Sequence, residues 1–330
     1  MQRIGVVAIG RNEGDRLQRC LRSLLGKAAP IVYVDSGSTD GSVEWARSQG
    51  VTVVALDLSQ PFTAARARNA GFSQLLQLAP DLEFVQFVDG DCEVVQGWLE
   101  RGAAALAANS QLAVVCGRRR ERFPEQTLYN RLCDIEWDTP VGEAKACGGD
   151  ALMRVAAFQQ AGGYNPKLIA GEEPELCVRL RQQGWTIERL DAEMTLHDAA
   201  MTRFRQWWRR SLRAGHAYAE GAWLHGTPPE RHWVRESLSI WAWGVALPVT
   251  SLSLLWLTHG ISLILFAAYP LLVYRIYRRT VSWLPARDAF AYAVFCVLGK
   301  FAQAQGQLLF HWNRLGDRQG KLVEYKDAKI

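Results

Sequence analysis

The chain has 330 residues, which fits about two domains of ordinary size. Hydrophobic residues make up 49% and charged residues 22%, a globular balance that excludes wholesale disorder; the net charge of +5 is a mild, unevenly placed excess. Seven cysteines, at 20, 92, 116, 133, 147, 177 and 296, form no C-x-x-C pair, so their spacing points to neither a disulfide framework nor a zinc site and fits reduced thiols in the cytosol.

The N-terminal stretch MQRIGVVAIG enters a strand-like run at once, with no signal-peptide pattern, so this part of the chain is expected on the cytoplasmic side. Over the first 120 residues, strand-like runs at 4–9, 31–35, 51–56, 84–88 and 113–116 alternate with helical patterns at 16–25, 42–49, 64–78 and 97–109. That alternation predicts an α/β fold, a mostly parallel sheet flanked by helices on both faces. Ligands of such sheets bind beyond the carboxyl ends of the strands. Asp35 and Asp89 stand at two of those ends. No G-x-G-x-x-G follows the first run and no G-K-[ST] loop occurs, which disfavours dinucleotide and P-loop phosphate sites.

Several stretches carry chemistry. In IVYVDSGSTDGSVEWA (31–46) a strand ends in Asp35, and Ser36, Ser38, Thr39 and Asp40 are expected to cap the next helix. ARARNAG (65–71) places Arg66, Arg68 and Asn69 at a helix start. FVQFVDGDCEVV (84–95) delivers Asp89 and Asp91 to one spot, where their charges repel unless something positive lies between them. A divalent cation such as Mg²⁺ or Mn²⁺, which prefers oxygen ligands, resolves that repulsion. GGDALMR (148–154) is a glycine turn carrying Asp150. AGEEPELCVRLRQQGW (170–185) opens a helix with Glu172 and Glu173, and TLHDA (195–199) presents His197 at a strand end.

In their order and spacing these motifs resemble the family 2 glycosyltransferases, inverting enzymes of the GT-A fold, over roughly residues 3–200. The resemblance implies that Asp35 binds the nucleotide base. It implies that Asp89 and Asp91 form the D-x-D that holds Mn²⁺ or Mg²⁺ on a sugar-nucleotide diphosphate, with His197 as a further metal contact. Gly148, Gly149 and Asp150 would line the donor, joined in the donor-binding set by Asn12, Glu13, Arg68 and Asp89. Glu173 aligns with the usual aspartate base of an E-D pair; being one methylene longer, it leaves Glu172 as the alternative. Processive relatives such as cellulose and hyaluronan synthases carry Q-x-x-R-W, whereas QWWRR (206–210) has Arg210 in place of the tryptophan, so transfer of one sugar is expected.

The rest of the chain reads as helical and membrane-associated. RFRQWWRRSLR (203–213), within a juxtamembrane section spanning 201–236, is a basic aromatic helix suited to anionic lipid headgroups, and nucleic acid is not an expected partner. Residues 237–274, 38 in a row, contain no Asp, Glu, Lys or Arg, with Thr258-His259-Gly260 near the middle as a turn. Two antiparallel spans of roughly 19 residues are expected there. Arg231 and Arg235 before them and Arg275, Arg278 and Arg279 after them put both ends on the cytoplasmic face of the inner membrane. Nine of the 13 tryptophans lie beyond residue 200, which suits interfacial anchoring. The run 289–299 reads as an interfacial or re-entrant helix before a basic tail, 314–329, so that 237–330 comprises the hairpin and an amphipathic C-terminal helix. Together these features predict a metal-dependent, inverting glycosyltransferase that uses a UDP- or GDP-sugar, with a lipid-linked or cell-envelope glycan as acceptor. A nucleotidyltransferase, or a non-catalytic membrane-bound scaffold that binds nucleotide sugar, are the alternatives.

Overall fold

The computed structural model describes residues 3–316 and forms two compact units that part between Ala200 and Met201. Residues 317–329 of the basic tail lie outside the described residues. In the first unit the strands are β1 (Ile4–Gly10), β2 (Ile31–Asp35), β3 (Thr52–Ala55), β4 (Phe84–Asp89), β5 (Cys92–Val94), β6 (Leu112–Glu121), β7 (Gly142–Glu143), β8 (Ala151–Arg154) and β9 (Thr186–His197). They make one sheet in the order β3-β2-β1-β4-β8-β6-β9-β5, with β7 on β9. The first four are mutually parallel, β8 runs antiparallel to both β4 and β6, and β9 lies parallel to β6 and antiparallel to β5. The expected parallel sheet is therefore the β3–β4 half, and the remainder is mixed.

The sequence explains the parallel half. Val6, Val7, Ala8, Val32, Tyr33, Val34, Val85 and Phe87 are wholly buried, as strands covered on both faces must be. Helices Asp15–Leu24, Ser42–Ser48, Ala64–Leu78 and Trp98–Ala108 lie near the expected positions. Phe72, Phe87, Phe158 and Tyr164 form a ring cluster with centroids 4.6–6.4 Å apart, tying helix Ala64–Leu78 to β4. One local expectation changes. The N-cap of helix Ser42–Ser48 is Gly41 in the left-handed region, with no side-chain cap. Ser38 and Thr39 bind Asn12 instead, and Asp40 Oδ1 accepts from the Ser42 amide.

The second unit is helical. Helix Phe204–His225 is followed by a continuous helical run through Val234–Trp241, a π-helical turn at Ala242–Ala246 and Leu247–Ser253. The expected turn contains His259 and Gly260 with φ of 50° and 89°. Ile261–Ala267 then winds as a 3₁₀ helix into Ala268–Thr280. The two arms touch through Ser251 and Ser262, whose hydroxyls each donate to the other's carbonyl at 2.9 and 2.7 Å. Among the described residues one helical segment, Ile261–Thr280, is long and apolar enough to cross a membrane, and little of it is buried. The run 289–299 lies inside a continuous 30-residue helix, Ala286–Leu315.

That long helix packs on Phe204–His225 at glycines. A methyl group on Gly215 would overlap the Gln303 backbone, and one on Gly306 would overlap the Leu212 carbonyl. Trp207 meets Phe295 edge to face at 4.8 Å, and Trp208 Nε1 donates to Gln305 Oε1 at 3.1 Å. Gly306→Leu is expected to cost at least ~1–3 kcal/mol through overpacking, seen as a lower thermal midpoint of the detergent-purified protein. On helix Phe204–His225, His216 Nδ1 lies 3.5 Å from Glu220 Oε2. Burial pushes the imidazole down to about 4 and the carboxyl up to about 7. Glu220 is favoured protonated in the fold, so its contribution is complete below about 4.5 and lost as pH rises through about 7. The contribution of neutral His216 is complete above about 6.5 and lost as pH falls toward about 4. Glu220→Gln is expected to flatten the decline in thermal midpoint between about pH 5 and about pH 8.

Candidate active site

Parallel register sets the site level. Gly10 of β1 stands beside Asp35 of β2, and Ile9 of β1 beside Asp89 of β4, so the carboxyl ends of three strands make one rim. At the β2 end the Asp35 carboxylate accepts from Tyr33 Oη at 3.0 Å and from the amides of Gly37 and Ser38 at 2.9 and 3.0 Å. Asn12, left-handed at φ 55°, donates its amide to Ser38 Oγ and accepts from the Thr39 amide at 2.7 Å. Glu13 pairs with Arg16 at 2.8 Å, and its side chain packs beside Gly10 and Gly90. These contacts bring Asn12, Glu13 and Asp35 to one pair of loops.

The β4 end is a lattice of acids and arginines. Asp89 meets Arg68 Nη2 at 2.6 Å through Oδ1 and Arg119 Nη2 at 3.2 Å through Oδ2. Arg68 also holds Glu172 Oε1 at 2.7 Å. Asp150, fully buried on β8's approach, accepts the Asp89 amide, Arg119 Nε and Thr195 Oγ1 at 2.9–3.0 Å. Burial works against charge on Asp89, but Arg68 and Arg119 hold its carboxyl below the usual carboxylate range. Burial likewise opposes charge on both arginines; Asp89 and Glu172 outweigh it at Arg68, and Asp150 with Asp89 outweighs it at Arg119, so both are pushed up. Gly149 borders this lattice so closely that a Cβ there would lie 2.8 Å from Arg68 Nη2 and 3.1 Å from Asp89 Oδ2.

Asp91 belongs to a second group. Antiparallel pairing sets Cys92 of β5 opposite His197 of β9, and β6 sets Glu121 opposite the same histidine. His197 Nε2 thus lies 3.2 Å from Asp91 Oδ2, and Nδ1 lies 3.6 Å from Glu121 Oε2. Burial pulls the imidazole down, yet Asp91 and Glu121 more than compensate and raise it above the ordinary histidine value. The Trp137 ring meets His197 edge-on at 4.7 Å and Arg119 face-on at 5.3 Å.

The two glutamates of helix Glu172–Gln182 have different partners. Glu172 answers Arg68, as above. Glu173 Oε1 accepts from the Cys147 amide at 2.5 Å and from the thiols of Cys147 and Cys177 at 3.0 and 3.1 Å, which fastens it to the loop bearing Gly148 and Gly149.

These groups fit a divalent cation at Asp91 and His197. Asp89, Asp91, Glu121, Asp150 and Glu172 place five carboxylates against two guanidiniums and one imidazole, an excess of negative charge. An oxygen and a nitrogen donor face each other with a carboxylate behind the ring, the usual backing of a metal-bound histidine. His197 Nδ1 is buried without a hydrogen-bond partner among the described residues. Both Asp89 oxygens, by contrast, are occupied by guanidiniums. Sequence reasoning did not single out Arg119, Glu121, Thr195 or Trp137. Arg119 and Glu121 sit in the charge run RRRER (118–122), where only strand register separates them from solvent-facing neighbours.

Comparison with known proteins agrees with this geometry. Residues 6–158 match the family model described as glycosyl transferase family 2. Glycosyltransferase AglE of Haloferax volcanii is 30% identical over 197 residues, covering 56% of this chain and 63% of that protein. Succinoglycan biosynthesis protein ExoA of Rhizobium meliloti is 25% identical over 196 residues, covering 54% and 58%. The chain thus spans about three fifths of the length of these curated relatives. Among solved structures, the mannosyltransferase PcManGT of Pyrobaculum calidifontis, in complex with GDP-Man and Mn²⁺, shares the fold with a TM-score of 0.62 at 18% identity, over 93% of this chain and 87% of that one. The conclusion is that residues 6–158 are similar to glycosyl transferase family 2, on a fold shared with a solved glycosyltransferase.

Proposed function

We propose that this chain is a metal-dependent, inverting glycosyltransferase that moves one sugar from a nucleotide-sugar donor to a hydroxyl of a lipid-linked or cell-envelope glycan. The observation that carries this is the convergence of Asp89, Asp91, Asp150, Arg68, Arg119 and His197 at the carboxyl end of β4. Asp35, Asn12 and Glu13, at the neighbouring strand ends, take the base and ribose side of the donor, and Gly148 and Gly149 take its sugar. Asp91 and His197 hold the cation, Mn²⁺ more readily than Mg²⁺ because one donor is an imidazole. When bound, it supplies positive charge where the departing diphosphate gains negative charge. Asp89 orients Arg68 and Arg119, whose guanidinium groups face the same charge.

On the acceptor side, a carboxylate within hydrogen-bond reach of the hydroxyl takes its proton as the new bond forms. Glu173 is the base in this reading. Its Oε1 is anchored by neutral donors, which aims the second oxygen, whereas the charge of Glu172 is shared with Arg68. A glycan acceptor is supported by the relative named for succinoglycan biosynthesis, and a GDP- or UDP-sugar donor by the GDP-Man held by the structural neighbour. Trp256, Leu257, Ile261 and Ile264, all at least 72% exposed around the hairpin turn, support insertion of this region into membrane lipid, and the arginines flanking residues 237–274 favour the cytoplasmic face.

Asp91→Asn and Glu173→Gln are each expected to lower nucleoside diphosphate release by at least ~100-fold. Glu173→Gln is expected to keep donor affinity near that of the wild type, measured by calorimetry; wild-type turnover in both variants would refute the reading. A panel of nucleotide sugars with membrane lipid extract is expected to give one donor that is consumed with Mn²⁺ and not after chelation. Mass spectrometry of the product is expected to show a single added sugar, and a long polymer would overturn that part.

A further inference from the structure

Three polar side chains beside the donor loop are arranged beyond what base catalysis requires. Cys147, just before Gly148, and Cys177, one helical turn after Glu173, approach the same carboxylate oxygen at 3.0 and 3.1 Å, with their sulfurs 3.7 Å apart. All three side chains are buried. A tetrahedral zinc ion bound by two thiolates at about 2.3 Å holds its sulfurs about 3.8 Å apart. The Cys147–Cys177 spacing matches that edge, and Glu173 supplies a third donor. A second observation points to a ligand at this cluster. The Tyr164 hydroxyl is buried, lacks a hydrogen-bond partner among the described residues, and feels the charges of Cys147, Glu173 and Cys177. Gly148, next to Cys147, has open space where a side chain would stand.

We propose that Cys147, Cys177 and Glu173 form a binding site for a thiophilic divalent cation, Zn²⁺ by its chemistry, distinct from the site at Asp91 and His197. Soft thiolate ligands select zinc, while carboxylate-rich sites suit manganese and magnesium, so the two positions sort their ions. On binding, Zn²⁺ replaces the two thiol protons, which pass to solvent; no electrons are transferred. The carboxylate that accepts the acceptor's proton is then held by the ion, so zinc slows sugar transfer. This consequence rests on the role proposed for Glu173; the binding itself does not.

The test uses the full chain in detergent with Mn²⁺ present and Co²⁺ as a spectroscopic stand-in for zinc. The wild type is expected to show near-ultraviolet thiolate-to-cobalt absorption that Zn²⁺ abolishes, and Cys92→Ala is expected to retain it. The double variant Cys147→Ala/Cys177→Ala is expected to lose the band and to bind Zn²⁺ at least ~100-fold more weakly in competition with a chromophoric chelator. Absence of the band in the wild type, or its persistence in the double variant, would overturn the site. Should the double variant not fold, Cys147→Ser and Cys177→Ser decide the matter singly, each weakening Zn²⁺ at least ~10-fold, and wild-type affinity in both would refute it. In the activity arm, Zn²⁺ is expected to lower nucleoside diphosphate release by wild type and not by the double variant. A protein that turns over no donor yet shows the cobalt band would refute the transferase reading and leave the zinc site standing.

Discussion

Buried carboxylates at the end of β4 are tolerable only because two guanidinium groups stand among them. Asp89 and Asp150 come from adjacent strands, and their repulsion in a water-poor site would be large without Arg119 bridging both. Arg68 extends the bridge to Glu172, so β4, β8, helix Ala64–Leu78 and helix Glu172–Gln182 share one electrostatic joint. The joint still carries surplus negative charge. Surplus negative charge of that kind is what the proposed cation would offset.

The second unit obeys a different constraint. Helices Phe204–His225 and Ala286–Leu315 approach until backbone meets backbone at Gly215 and Gly306, and dispersion contacts replace interlocking side chains there. The hairpin between residues 247 and 267 is tied inwardly by serine hydroxyls while its large apolar side chains face outward. Polar groups satisfied within and apolar groups displayed without is the arrangement that a lipid environment demands.

Much of this was legible in the residues. β1, β2 and β4 stood out because burial on both faces imposes unbroken β-branched runs, and the two aspartates at the end of β4 announced a charge problem that needed a partner. β5, β7 and β8 span three, two and four residues, too short for any periodicity to show, and β9 alternates charged and apolar residues like an exposed edge. The partners were harder to read than the acids. Arg119 is one of three consecutive arginines, and only pairing with β9 turns it toward Asp89. The gathering of Cys147 and Cys177 on Glu173 was invisible because 30 residues separate the thiols and no short motif marks them.

Gly149 carries a consequence for anyone redesigning this scaffold. A side chain there can be housed only if Arg68 retreats, and Arg68 cannot retreat without giving up Glu172, a buried carboxylate, and one of the two guanidinium groups on Asp89. Substitutions at this segment of backbone therefore act on the ion pairs behind it as well, and the two cannot be redesigned separately.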